Sequence, residues 1–168
     1  HGFQLWANLP AKLKMTAPRY QEVKAKQIPV VGDESGARVR VVCGKFRDTQ
    51  GPVEDVSVDP NYLDVTVPAG KRVALPVATS LNAFAYVFEG DGKFCNASEP
   101  LSVPTESDKW DDDKPPTAAE NRTLVFFDKG DEVTVQAGEK GVRFLLVSGR
   151  PLKGPVAWYG PIVMDTQE

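Results

Sequence analysis

The chain has one histidine, His1, and two cysteines, Cys43 and Cys95, among 168 residues. That scarcity removes several chemistries at once. A Ser-His or Cys-His nucleophile pair needs an imidazole beside the nucleophile, and none follows residue 1. A copper centre built on an N-terminal His needs a second His, so the His1-Gly2 start cannot complete one. The two cysteines lie too far apart for a zinc or redox motif. They read as two buried or half-buried thiols of a reducing compartment, with a single disulfide as the lesser alternative.

Long hydrophobic runs are missing too. The longest uncharged apolar stretch, residues 81–88, suits a buried strand and is far too short for a membrane-spanning helix. Positive charge is not in excess: the net charge is −3 and the pI is near 5.3. That balance offers nucleic acid no basic face and a membrane no polybasic anchor. Helical periodicity is almost absent, and without amphipathic crossover helices a parallel α/β sheet is disfavoured.

What is present is a series of short alternating segments. Phe3, Leu5 and Ala7 alternate against Gln4, Trp6 and Asn8, which predicts a strand at the start. A domain rarely opens in mid-strand, so this pattern implies further chain upstream. Residues 10–28, broken by Pro10 and Pro18 and followed by Pro29, read as a connector with a short helical turn. Strands are predicted over residues 37–43, 61–67, 72–77 and 83–88. Glu89-Gly90-Asp91-Gly92 reads as a turn, with a return strand from Phe94 and Cys95. Residues 98–120, rich in Pro, Ser and Asp around Trp110, read as a long acidic surface loop. Three more strands are predicted over residues 124–127, 132–135 and 142–147, with turns at 128–131 and 138–141. The tail from Lys153 has little period, yet Trp158, Tyr159, Ile162, Val163 and Met164 are too apolar to stay uncovered. Many short strands with Gly and Pro turns define an all-β barrel or sandwich.

Candidate sites are few. Glu54, Asp55, Asp64, Glu89 and Asp91 are acids of the kind glycoside hydrolysis uses in pairs, but their spacing follows no pattern. Asp111-Asp112-Asp113 lacks the alternating spacing of a calcium loop and reads as a solvated acidic run. Asn96-Ala97-Ser98 and Asn121-Arg122-Thr123 are glycosylation triplets that matter only in a secreted chain. Phe84, Tyr86 and Phe88 read as barrel core, and Trp6 and Trp158 as interface contacts. All five, with Trp110, could instead line a hollow for one small ligand.

The stretch from Gly70 to Gly90 resembles the cupin pattern G-x5-H-x-H-x4-E-x6-G. With Gly70 first and Gly90 last, the ligand positions fall on Pro76, Ala78 and Ala83. A second cupin pattern, a turn with His two residues later, places Asp128-Lys129-Gly130 at the turn and Val133 at the fourth ligand. Pro, Ala and Val offer no donor atoms. On this frame the four positions converge at one end of the barrel interior without a metal site.

Both ends resemble a particular bicupin family. The run His1-Gly2-Phe3-Gln4-Leu5-Trp6-Ala7-Asn8-Leu9-Pro10, then Pro18-Arg19-Tyr20-Gln21, looks like the segment after the metal-binding barrel of pirins. Phe144 to Leu152, Pro155-Val156 and Gly160 to Glu168 look like the close of the pirin second barrel. The resemblance implies an all-β, cupin-like antiparallel barrel of jelly-roll type. It divides the chain into residues 1–28 (arm and linker), 29–150 (barrel) and 151–168 (a tail packing on the other half or on a second copy). It implies no catalytic, cofactor-binding or metal residue here, with iron held by three His and one Glu in an upstream barrel. The parent would be a quercetin 2,3-dioxygenase-type protein or a nuclear transcription cofactor, cytoplasmic or nuclear. The expected partner is that upstream barrel, a second copy or another protein, with no direct nucleic acid or membrane contact.

Overall fold

The structure is a computed structural model that describes residues 2–95, 101–102 and 118–166, with only the backbone of 95, 101 and 102. Its strands are β1 (Val30–Gly32), β2 (Arg38–Cys43), β3 (Lys45–Phe46), β4 (Thr49–Gln50), β5 (Asn61–Val67) and β6 (Arg72–Pro76). They continue with β7 (Asn82–Cys95), β8 (Leu101–Ser102), β9 (Ala119–Glu120), β10 (Thr123–Phe127), β11 (Glu132–Gly149), β12 (Ala157–Tyr159) and β13 (Ile162–Met164). Two single 3-10 turns, Ala11–Leu13 and Ala25–Gln27, interrupt the connector. Among the described residues no helix is long and apolar enough to cross a membrane.

Every strand pairing is antiparallel, and the main sheet runs β1-β2-β5-β11-β7-β10-β8, with β6 added on β11 and β9 on β7. Two strands are far longer than the rest. The first part of β11 pairs with β6 and with the end of β7, while its last part pairs with β5 and with the start of β7. Both strands therefore belong to two layers, and the all-β, cupin-like barrel closes around the bend. Inward positions follow the period of two: Val39 and Val41, Leu63, Val65 and Val67, Val73 and Leu75, Ala85 and Val87, Val133 and Val135, Phe144 and Leu146 form one buried cluster. Their β-branched shapes suit a pleated, buried surface.

The bend explains where the sequence pattern misleads. Residues 89–92 and 138–141 carry turn chemistry, yet each lies inside one continuous strand. The two segments face each other, and the register shifts between Ala137 and Val142. They act as bulges that turn the strands from one layer to the other. Gly90 has φ +70°, and a Cβ there would lie 2.0 Å from the Gly141 carbonyl oxygen. Only a glycine meets both demands.

Other expectations divide by neighbourhood. The strand expected at 61–67 forms there, and those expected at 72–77 and 124–127 form within one residue, at 72–76 and 123–127. Residues 2–9 form no strand, because no neighbouring strand takes up their backbone N–H and C=O groups. The tail, aperiodic in sequence, folds into the β12–β13 hairpin with Gly160 at φ +57° in its turn. Most of the 98–120 loop lies outside the described residues. Its flanks add β8 to β10 and β9 to β7.

Replacing Gly90 by Ala should cost about 3 kcal/mol or more, since left-handed strain and a backbone clash add. Urea unfolding of Gly90→Ala beside Gly130→Ala, whose added Cβ has 3.8 Å of room, checks this. Equal midpoints would refute the corner's role.

Candidate functional site

The barrel interior is the first place to look for chemistry. Strand β6 alternates with Val73 and Leu75 inward and Arg72, Ala74 and Pro76 outward. Pro76 is therefore exposed and stands opposite Glu132, and Ala78 is exposed beyond the strand end. The expected convergence of Pro76, Ala78, Ala83 and Val133 fails. The inward positions are Leu75, fully buried opposite Val133, and Val77, packed against the same cluster. Ala83 is half-buried and lies outside that cluster. For Pro76 and Ala78 the cause is parity: along β6 the count from Gly70 is one residue out of phase with the pleat, and a one-residue slip sends a side chain to the opposite face.

The corrected positions still carry no donor atom. Leu75 and Val133 face each other in the interior with Val77 packed on the same cluster, and aliphatic carbons cannot coordinate iron. The residues present do not fit a metal. Among the described residues, no three His, Cys, Asp or Glu side chains gather. Phe94, stacked edge-on to Phe144 at 5.0 Å between centroids, helps fill the interior.

The second place is the outer face of β2, β5, β11, β7 and β10. Phe84, Tyr86 and Phe88 lie here and not in the barrel interior, whose positions on β7 belong to Ala85 and Val87, although Phe88 is buried on this side too. They cluster with Tyr62, Leu145 and Val147. Phe3 of the arm lies on this cluster, its ring 4.8 Å from Phe88 and 5.9 Å from Tyr86. Two hollows flank Phe3. One of about 230 Å³ is walled by Leu5, Phe84, Tyr86 and Leu124, and another of about 270 Å³ by Arg40, Tyr62, Asp64 and Arg143.

Charge collects at the second hollow. Arg143 donates from Nε to Asp64 Oδ1 at 2.9 Å and from Nη2 to Oδ2 at 2.7 Å, a bidentate pair. Its guanidinium lies 5.0 Å over the Phe88 ring, and Glu89 approaches it at 3.9 Å. Arg40, directly across from Asp64, reaches it only at 3.8 Å. The Asp64 hydrogen bond holds Arg143 above the ordinary guanidinium range. Burial, then the Asp64 charge, pushes the Tyr62 phenol up. The sequence showed Arg38 and Arg40 facing away from the core but held no sign that Asp64 stands opposite Arg40.

The remaining candidates scatter. Glu54 and Asp55 lie on a loop held by the connector: Arg19 Nη2 donates to the Glu54 and Asp55 carbonyls at 2.7 and 2.9 Å, and its Nη1 donates to Asp55 Oδ2 at 3.3 Å. Gln21 donates to the Glu54 carbonyl at 2.8 Å and accepts from its N–H at 3.2 Å. Glu89 and Asp91 belong to the continuous strand β7, not to a solvated turn. Asn121 is exposed between β9 and β10. Trp6 and Trp158 are exposed, and Lys14 links their two segments by donating to Val163 O at 2.7 Å and to Asn8 Oδ1. His1, Asn96, Trp110 and Asp111-Asp112-Asp113 lie outside the described residues.

Cys43 is buried and donates its Sγ–H to Val53 O at 3.4 Å. Desolvation pushes its thiol up, although a Gly44 backbone hydrogen bond opposes this.

Fold and interior together define a cupin barrel whose inward positions at Leu75, Val77 and Val133 are aliphatic. The Pirin C-terminal cupin domain matches residues 62–168, and the chain belongs to the pirin family. A pirin-like protein of Caulobacter vibrioides is 39% identical over 99% of this chain and 53% of its own length. Pirin-1 of Arabidopsis thaliana is 34% identical over 99% of this chain and 53% of its own. A crystal structure titled quercetin 2,3-dioxygenase from Acinetobacter baumannii superposes with a TM-score of 0.78 at 29% identity, over 96% of this chain and 50% of that one. The chain thus spans about half the length of the curated relatives it matches.

Two results check this site. Leu75→Ala should cost about 2–5 kcal/mol, and Pro76→Ala less than about 1 kcal/mol, in chemical denaturation. The reverse order would restore Pro76 to the interior. In a Cys95→Ser background, Cys43 should react with a chromogenic disulfide reagent at least about 100-fold slower than a free thiol at pH 8. Rapid native labelling would contradict its burial.

Proposed function

We propose that this chain is the structural, metal-free half of a two-barrel protein whose upstream barrel holds iron and oxidises a flavonol-type substrate. The observation that carries this reading is the aliphatic lining at Leu75, Val77 and Val133, joined to the half-length match with pirins. A barrel lined this way contributes packing, and metal chemistry falls to the other half. The solved relative titled quercetin 2,3-dioxygenase supports the substrate class. We place the protein in the cytoplasm or nucleus, a placement supported by the buried thiol of Cys43. A second reading, a docking module for a protein partner, draws on the exposed Trp158, Tyr159 and Ile162 of the β12–β13 hairpin.

Elemental analysis of the dialysed chain separates the outcomes. Less than about one-tenth of an iron, copper or zinc per chain is expected, because no donor set is available. Quercetin consumption should require the complete two-barrel polypeptide. One metal per chain, or turnover by residues 1–168 alone, would overturn the proposal.

A further inference from the structure

Between β4 and β5 the backbone enters an unfavourable conformation three times. Asp55, Val58 and Asp59 have φ of 51°, 71° and 45°. None is a glycine. Val58 is β-branched, and Asp59 precedes Pro60, where extended backbone is the preference. Strain of this kind persists only where surrounding contacts hold it. Two arginines do so. Arg150, just past β11, donates its N–H to Val58 O at 2.9 Å and its Nη2 to Asp59 Oδ2 at 2.6 Å. Arg19 of the connector holds the carbonyls of Glu54 and Asp55. Gln21 beside it meets both the N–H and the C=O of Glu54, as a neighbouring strand would.

The residue next to Glu54 covers a thiol. Val53 lies alongside Cys43 in a single parallel bridge, accepts its Sγ–H at 3.4 Å and donates its own N–H to Val42 O at 3.3 Å. Cys43 is 7% exposed there, at the edge of a hollow of about 510 Å³ that Lys45, Glu54, Asp59 and Asn61 also line. Gly51 roots the segment: its N–H donates to Gly44 O at 2.8 Å, and a Cβ on it would lie 2.9 Å from Val41 O.

We propose that residues 52–59 are a flap latched over Cys43 by the connector, and that lifting the connector opens flap and hollow while the barrel stays folded. The attachments are unequal in the way such a device needs. The backbone of residues 10–28 hydrogen-bonds only within the connector, and residues 15–28 reach the barrel by hydrogen bonds from Arg19 and Gln21 alone, among the described residues. Both side chains are exposed, so water replaces their bonds at small cost. The barrel strands, by contrast, are held by continuous ladders. With the latch gone, relief of the Asp55 backbone favours opening, and Gly51 and Arg150 remain as hinges. The seating of the connector thereby sets access to Cys43.

Labelling of Cys43 in the folded Cys95→Ser chain, with amide exchange at Val53, tests this. Arg19→Ala with Gln21→Ala should speed both at least about tenfold and leave the core amides of Val65 and Leu146 unchanged, as local opening requires. The labelling rate should stay flat in urea below the unfolding transition, because a flap exposes little surface. Arg19→Lys, which keeps the charge and loses the fork, should fall between parent and double variant. In the parent chain, Val53 should exchange well before Val65 and Leu146, a result that needs no variant to fold. An unchanged rate in the double variant would overturn the latch. Labelling that accelerates with urea in step with global unfolding would make the connector a brace for the whole barrel and overturn the flap. Simultaneous exchange of Val53 and the core amides would do the same.

Discussion

The pairing of β7 with β11 is the constraint on which the rest of the chain depends. These two strands are the only described ones that bridge both layers, and each of β5, β6, β9 and β10 is attached to one of them. Their bend at Gly90 and Gly141 sets the angle between the layers and therefore the volume enclosed. Valines, leucines and Phe144 fill that volume. Burial at about 25 cal/mol per Å² of apolar surface stabilises such an interior only while both layers stay in register. The corner glycines matter more to the fold than their lack of side chains suggests.

Strand existence was legible because half-buried strands print their alternation directly, as at residues 61–67 and 37–43. The corner was not. Gly90-Asp91-Gly92 and Gly138-Glu139-Lys140-Gly141 have the composition of reversals, and nothing local distinguishes a bulge that changes layers from a turn that ends a strand. The information lies in the partner: each segment keeps its ladder because the other bends with it. The short β3–β4 and β12–β13 hairpins were missed for a related reason, as strands of two or three residues are too brief to show a period.

The frame counted from Gly70 was out of phase with the pleat of β6, which turns Val73 and Leu75 inward and Pro76 outward. A slip of one residue from Pro76 reaches Leu75 or Val77, which changes the face that is meant without adding a donor atom at that position. Phe84, Tyr86 and Phe88 show the same ambiguity with larger effect. An apolar run such as Ala83 to Phe88 has two nonpolar faces, and the sequence alone does not say which is inward. The smaller residues, Ala85 and Val87, go inside, where space between layers is limited, and the aromatics remain outside.

The stitching of Arg19 and Gln21 to the 54–55 loop has a mechanical meaning. Five hydrogen bonds tie the connector to the barrel there, and Lys14 fastens the preceding stretch to the tail hairpin. Tension applied through the N-terminus would reach the barrel as shear across these side-chain bonds before it reached any strand ladder. The connector thus behaves as a riveted strut and not as a slack tether.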